Sequence, residues 1–133
     1  MSIFSEAELA FLAAVRLARL ATIGPDGAPQ VRPVGFSVDA TTGTVDIPGR
    51  DNPNTQKWRN IARNPGVALV IDDVLPPWEP RVLEIRGIAE LLPDLVPEGA
   101  AEGVAPGVIR IRPRRILVFG IEKGAVPART VAA

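Results

Sequence analysis

LARLATIGPDGAPQVRPVGFSVDATTGTVDIP, residues 17–48, is the stretch that decides the fold. Its first seven residues, 17–23, predict a strand that ends in the turn Gly24-Pro25-Asp26-Gly27. Proline and Asp-Gly there are strong turn chemistry. Residues 29–39 predict a second strand, with Val34, Phe36 and Val38 alternating along it. Pro33 and Gly35 fall on the opposite phase. A proline cannot donate to a ladder, so this strand implies an edge, a bulge or a close approach to the backbone. A turn over Ala40–Gly43 leads to a third strand, Thr44–Pro48. Connections this short favour an antiparallel meander.

Downstream, residues 49–53 predict a loop. Asn54 is expected to cap a helix that runs through Arg63 with Trp58, Ile61 and Ala62 on one face. Asn64-Pro65-Gly66 stops it. The apolar run 67–71 fits a strand buried on both sides. Asp72–Pro80 is expected to be a proline-rich loop carrying Trp78, and 81–91 a long strand with Leu83 and Ile85 opposite Glu84 and Arg86. Residues 93–107 show no period and are expected to be a loop with one helical turn. Strands follow at 108–112 and 116–121, and the tail 123–133 is expected to fray. Upstream, residues 4–15 predict a helix. Ser5 is the N-cap, Glu8 completes a capping box, Phe4 and Leu9 form a staple, and Leu9, Leu12 and Ala13 make the apolar stripe. Six or seven short, mostly antiparallel strands with two helices should curl into a barrel or sandwich whose edges need closure or a partner.

The 133 residues support a single domain, 1–133, and 47% of them are apolar. Zero formal charge gives no reason to expect nucleic acid as a partner. The N-terminus has no basic region of the signal-peptide kind, and no apolar run approaches the roughly 18 residues of a membrane span. A cytoplasmic protein is expected. The chain has no histidine, no cysteine and no tyrosine. Ser-His-Asp and Cys-His catalysis are therefore excluded in their usual forms, as is a histidine-held zinc or haem. An enzyme of this composition would take its chemistry from a bound cofactor.

The chemistry-bearing stretch is Gly49–Lys57. Arg50 precedes a helix whose first turn holds Thr55, Gln56 and Lys57. A cation in the first turn opposes the helix dipole unless an anion sits between it and the free N–H groups. Two readings stand: a phosphate clamp of Arg50, Lys57, Thr55 and Gln56, or a solvated lysine without a partner. Lysine occurs only at Lys57 and Lys123, and its compact charge suits a phosphate. Arg32, beside Pro33, either donates to a ligand or is an exposed strand arginine. Trp78 either stacks on a planar ligand, enters a dimer interface or plugs a local gap. Arg110, Arg112, Arg114 and Arg115 are better explained by pairing with Glu84, Glu90 and other acids than by anion binding. Asp72-Asp73 is a poor metal site, since adjacent strand carboxylates point to opposite faces.

The order of a helix, LARLATIGPDGAPQVRPVGF, TVDIPG, QKWRNIARNPGVALVID and a closing IRIRPRRILVFGIE resembles the pyridoxamine-phosphate-oxidase-like split-barrel superfamily. The likeness covers about residues 5–122. It implies a mostly β, six-stranded split β-barrel that forms a homodimer, with two cofactor sites at the interface holding FMN, the deazaflavin F420 or, in some branches, haem. By this resemblance Val31, Arg32, Pro33 and Val34 face the isoalloxazine-type ring. Ile47, Pro48, Gly49 and Arg50 continue that wall, and Gln56 and Lys57 hold the phosphate. Pyridoxamine phosphate oxidation would need a C-terminal extension with substrate-binding Arg and His residues, so it is not expected, and the lack of histidine disfavours haem. The GPDGAPQVRPV segment resembles the deazaflavin-dependent branch. That implies an F420-dependent oxidoreductase, with FMN as the alternative cofactor, delivering a hydride to a small conjugated substrate. Trp78 of a second copy would cover the substrate face. A non-catalytic flavin carrier of the same fold is the competing implication.

Overall fold

The computed structural model describes residues 2–132. Helix α1 spans Glu6–Ala14 and begins with the expected capping box. The Ser5 hydroxyl accepts from the Glu8 N–H at 3.2 Å, and Glu8 Oε1 accepts from the Ser5 N–H at 2.9 Å. The buried stripe differs from the expected one. Phe4, Glu8, Phe11 and Leu12 face inward, Leu9 is half-buried and Ala13 is exposed. A carboxylate takes a core position there because Arg129 meets it.

Eight strands follow: β1 Ala18–Ile23, β2 Pro29–Val34, β3 Ser37–Val38, β4 Val45–Ile47, β5 Gly66–Leu75, β6 Glu79–Leu92, β7 Val108–Phe119 and β8 Ala128–Thr130. Helix α2, Gln56–Arg63, lies between β4 and β5. The sheet order is β2-β1-β5-β6-β7-β4-β3, with β8 also beside β7, and every pairing is antiparallel. This curled sheet is the expected mostly-β split barrel. Leu20, Leu69, Ile71, Leu83, Ile85, Ile109, Ile111 and Ile116 fill its inner face and are all but inaccessible. Each such side chain contributes about 1.5–3 kcal/mol by leaving water.

The expected second strand divides. β2 stops at Val34, Gly35 and Phe36 break the ladder, and β3 keeps only two residues. Pro29 and Pro33 stand opposite Ile23 and Arg19. Lacking N–H groups, they must occupy the pairs that exchange no hydrogen bonds, so their nitrogens face the free edge of β2. Among the outward positions of β2 only Val31 keeps an N–H there. Prolines thus blunt an edge that would otherwise recruit another strand.

Four other expectations are corrected. Asp72–Pro80 is not a loop: β5 continues to Leu75 and β6 starts at Glu79, leaving a tip of Pro76, Pro77 and Trp78. This arm lies beyond the core, so it lacks the inward apolar period that marks a strand. A cross-strand fork holds it instead, with Arg81 donating to Asp73 at 2.8 and 2.5 Å. The segments 108–112 and 116–121 are one strand, β7, running straight through Pro113. Gly87 faces Pro113 while Arg86 faces Arg115, so Arg114 is the extra residue of a β-bulge. A Cβ on Gly87 would lie 2.3 Å from the Arg112 carbonyl, which explains the glycine. The tail is not wholly frayed, because β8 pairs with β7 and Arg129 forks onto Glu8 at 3.0 and 2.5 Å. Finally, α2 is capped by Thr55 rather than Asn54, which belongs to a short 3-10 turn over Asn52–Asn54, and Ala62 is exposed. Among the described residues no helix is long and apolar enough to cross a membrane.

Candidate functional site

The start of α2 and the outer strands β1 and β2 enclose a cavity of about 610 Å³, lined by Thr22, Gln30, Val31, Arg32, Thr55, Gln56 and Lys57. Five of these were named from the sequence, and they come from two segments more than twenty residues apart. The β1–β2 hairpin lies against α2 and brings them to one place.

The donors of this cavity separate into those already used and those still free. Thr55 Oγ1 donates to the Asn52 carbonyl at 2.7 Å and accepts from the Trp58 N–H at 3.4 Å, so the hydroxyl is committed to the cap. The Gln56 side chain is committed as well. Its Nε2 donates to Asn60 Oδ1 at 2.8 Å, and its Oε1 accepts from Arg59 at 3.0 Å. The backbone N–H groups of Gln56 and Lys57 lie in the first turn, where a helix supplies no acceptor. They are joined by the Lys57 ammonium and the Arg32 guanidinium. Among the described residues neither cation forms an ion pair with a carboxylate. Partial burial, and then the charge of Arg32, hold the Lys57 ammonium below the ordinary lysine value of 10.5. Two mutually repelling cations beside a helix start with free N–H groups are a setting that suits an anion.

The remaining sequence candidates lie elsewhere. Pro33 is exposed further along β2, and Val34 and Ile47 are buried in the core at 6% and 0% exposure. Gly49 makes room for Asn52: a Cβ there would lie 2.1 Å from Asn52 Oδ1. Asn52 in turn donates to the carbonyls of Ile47 and Gly107 at 3.0 and 3.1 Å, which ties the loop before α2 to the barrel. Arg50 is exposed outside the cavity, and its carbonyl accepts from the Ala105 N–H at 3.1 Å. Trp78, 74% exposed, tops the β5–β6 arm. The arginine cluster is largely paired: Arg110 forks onto Asp46 at 2.8 and 3.0 Å, Arg112 meets Glu90 at 2.9 Å and Arg115 meets Thr130 at 3.1 Å. Glu84, however, pairs with Arg86.

Pro48 lines a second cavity of about 720 Å³ between β3, β4, β7 and the 95–98 segment. It is larger, but its one cation, Arg110, is neutralised by Asp46, and Asp39 and Glu98 stand on its walls. An anion is not welcome there.

Thr22, Gln30 and Asn60 were missed in the sequence. Asn60 is fully buried, and its Nδ2 donates to Thr22 Oγ1 at 3.0 Å and Gln30 Oε1 at 2.8 Å. For Thr22 and Asn60 the available signal was a polar residue at an inward position, Thr22 two residues after Leu20 and Asn60 next to Ile61, whereas Gln30 is exposed and carried none.

Comparison with known proteins follows this geometry. The family described as Pyridoxamine 5'-phosphate oxidase matches residues 4–125. A 5a,11a-dehydrotetracycline/5a,11a-dehydrooxytetracycline reductase of Streptomyces rimosus is 43% identical over 122 residues, covering 90% of this chain and 84% of that protein. The solved structure of an F420 reductase superposes with a TM-score of 0.63 at 28% identity, covering 83% of this chain and 95% of that one. General Stress Protein 26 of Bacillus anthracis has a TM-score of 0.70 at 16% identity, covering 95% and 97%, which speaks for the fold alone.

Proposed function

This chain belongs to the pyridoxamine 5'-phosphate oxidase family, and from that premise we propose that it is an F420-dependent reductase of a small conjugated substrate. An oxidoreductase is the coarser statement, supported by the reductase that is 43% identical. The observation behind a phosphate-bearing cofactor is that Arg32 and Lys57 line one cavity at the start of α2 with, among the described residues, no carboxylate partner, and the likeness to an F420 reductase favours F420.

The cavity fits a phosphate-bearing cofactor. Lys57, Arg32 and the N–H groups of Gln56 and Lys57 would hold the phosphate. Val31, 62% exposed on the cavity wall, would lie against the ring, with its edge-facing N–H as a donor. When bound, a reduced deazaflavin would supply the hydride, which no protein side chain can deliver. The protein's part is to bind and orient, and the proton is drawn from solvent. FMN carries one terminal phosphate and is the alternative occupant of the same cavity. We further propose a homodimer in which a second copy completes the site and its Trp78 covers the substrate face.

The test is a side-by-side fluorescence titration with F420 and FMN, followed by oxidation of the reduced cofactor in the presence of conjugated ketones. Tighter binding of F420 and substrate-dependent turnover are expected. Binding without turnover would favour the carrier reading, and binding of neither would sink both.

A further inference from the structure

The two cations of the cavity sit on different elements, Arg32 on β2 and Lys57 on α2, and they repel each other. Among the described residues β2 is the terminal strand of the sheet and pairs only with β1. Something must hold it against α2 when no anion bridges the two charges. The side-chain hydrogen bonds found between α2 and these strands both start from one atom, Asn60 Nδ2, which reaches Thr22 on β1 and Gln30 on β2. The other end of the same amide is equally engaged. Asn60 Oδ1 accepts from Gln56 at 2.8 Å and from Arg63 at 3.2 Å. A fully buried amide with all its capacity used is rigid, and it fixes how its partners are oriented. Three of those partners, Thr22, Gln30 and Gln56, line the cavity.

We propose that Asn60 is a positioning residue, a latch that holds α2 against β1 and β2 so that Lys57 and Arg32 meet the same anion. It touches no ligand itself. Its effect is preorganisation: the cations are held at one spacing before the anion arrives, so less ordering is needed on binding. This rests on the cavity being the phosphate site of the cofactor.

The latch predicts a selective loss, which a purely structural residue would not give. FMN and riboflavin, which differ by the phosphate, are titrated against wild type, Asn60→Ala, Arg32→Ala/Lys57→Ala and the triple variant. Asn60→Ala should weaken FMN binding about tenfold and leave riboflavin within about twofold. In the background lacking both cations, Asn60→Ala should cost FMN nothing further. F420 and its tail-less chromophore should repeat the pattern. If Asn60→Ala does not fold, Asn60→Ser keeps a polar group at the buried position but loses the reach to Thr22 and Gln30, and the same selective loss is expected. Equal losses for FMN and riboflavin, or an undiminished FMN affinity, would overturn the latch. A wild-type protein that prefers neither FMN to riboflavin nor F420 to its tail-less chromophore would instead overturn the phosphate site, and the latch with it.

Discussion

Lys57 shows how far a single residue was legible. Its position in a first helical turn, against the dipole, left two readings open, a phosphate clamp or a solvated lysine. Its partner was not legible: Arg50 is near in sequence, but Arg32 is the cation that shares the cavity, because the β1–β2 hairpin folds back onto α2. Lys57→Ala is expected to weaken a phosphorylated cofactor about ten- to hundredfold, and Arg50→Ala by less than Arg32→Ala, as read by fluorescence titration. The depressed Lys57 value also sets a pH dependence. Affinity should fall as pH rises through a midpoint below 10.5, and Lys57→Arg should abolish that fall in the same range. Stability of the free protein should move the other way. Between the native Lys57 value and 10.5 the unfolded chain holds more protons, so stability rises with pH there, and the full penalty remains below that window. Gly49 carried a ring-wall role by resemblance, yet its visible task is to admit the Asn52 side chain. Gly49→Ala should therefore destabilise the fold by about 1–3 kcal/mol in urea melts, as an overpacked site does.

Elements were legible where a local signal existed and illegible where pairing alone made them. The Ser5–Glu8 capping box announced α1, and Pro-Asp-Gly announced the β1–β2 turn. The β5–β6 arm had no inward apolar residues beyond Ile71, so composition read as loop while the ladder and the Asp73–Arg81 fork made it a hairpin. Pro113 read as a strand break, but the Gly87 bulge lets β7 pass through it. β8 is the extreme case: three residues, Ala-Arg-Thr, have no strand signal of their own. They are ordered by β7 and by Arg129, which forks onto a Glu8 carboxylate only 2% exposed. Removing one partner of such a pair leaves a buried charge without compensation. Arg129→Ala is expected to cost about 3 kcal/mol by chemical denaturation, the lower end for buried pairs, because the arginine itself is 30% exposed. Glu8→Gln in the same chain should recover part of that loss. An Arg129→Ala protein as stable as wild type would show that β8 is held by its ladder alone.

For the whole molecule, the curled sheet leaves apolar side chains exposed that the proposed homodimer would account for. Val31 at the cavity, Val74, Leu75 and Trp78 on the arm, and Ile88 and Phe119 further along are all exposed. Scattered singly they would need no account, but three of them crown one hairpin. A second copy would cover them. Sedimentation should then find a species near twice the 14.1 kDa of one chain. The chain supplies its own reporter, since Trp58 and Trp78 are its only tryptophans and Trp58 is half-buried at the core. Trp78 is the one whose environment assembly would change. On dilution through the dimer's dissociation range, emission should shift to the red as the arm returns to water, and Trp78→Phe should remove the shift while Trp58→Phe keeps it. If Trp78 also covers the substrate face, Trp78→Ala should raise KM for the conjugated substrate with cofactor affinity unchanged. Red-shifted emission that persists at concentrations where the protein sediments as a dimer would place the arm outside the interface, and the cover over the substrate would have to come from another part of the second copy.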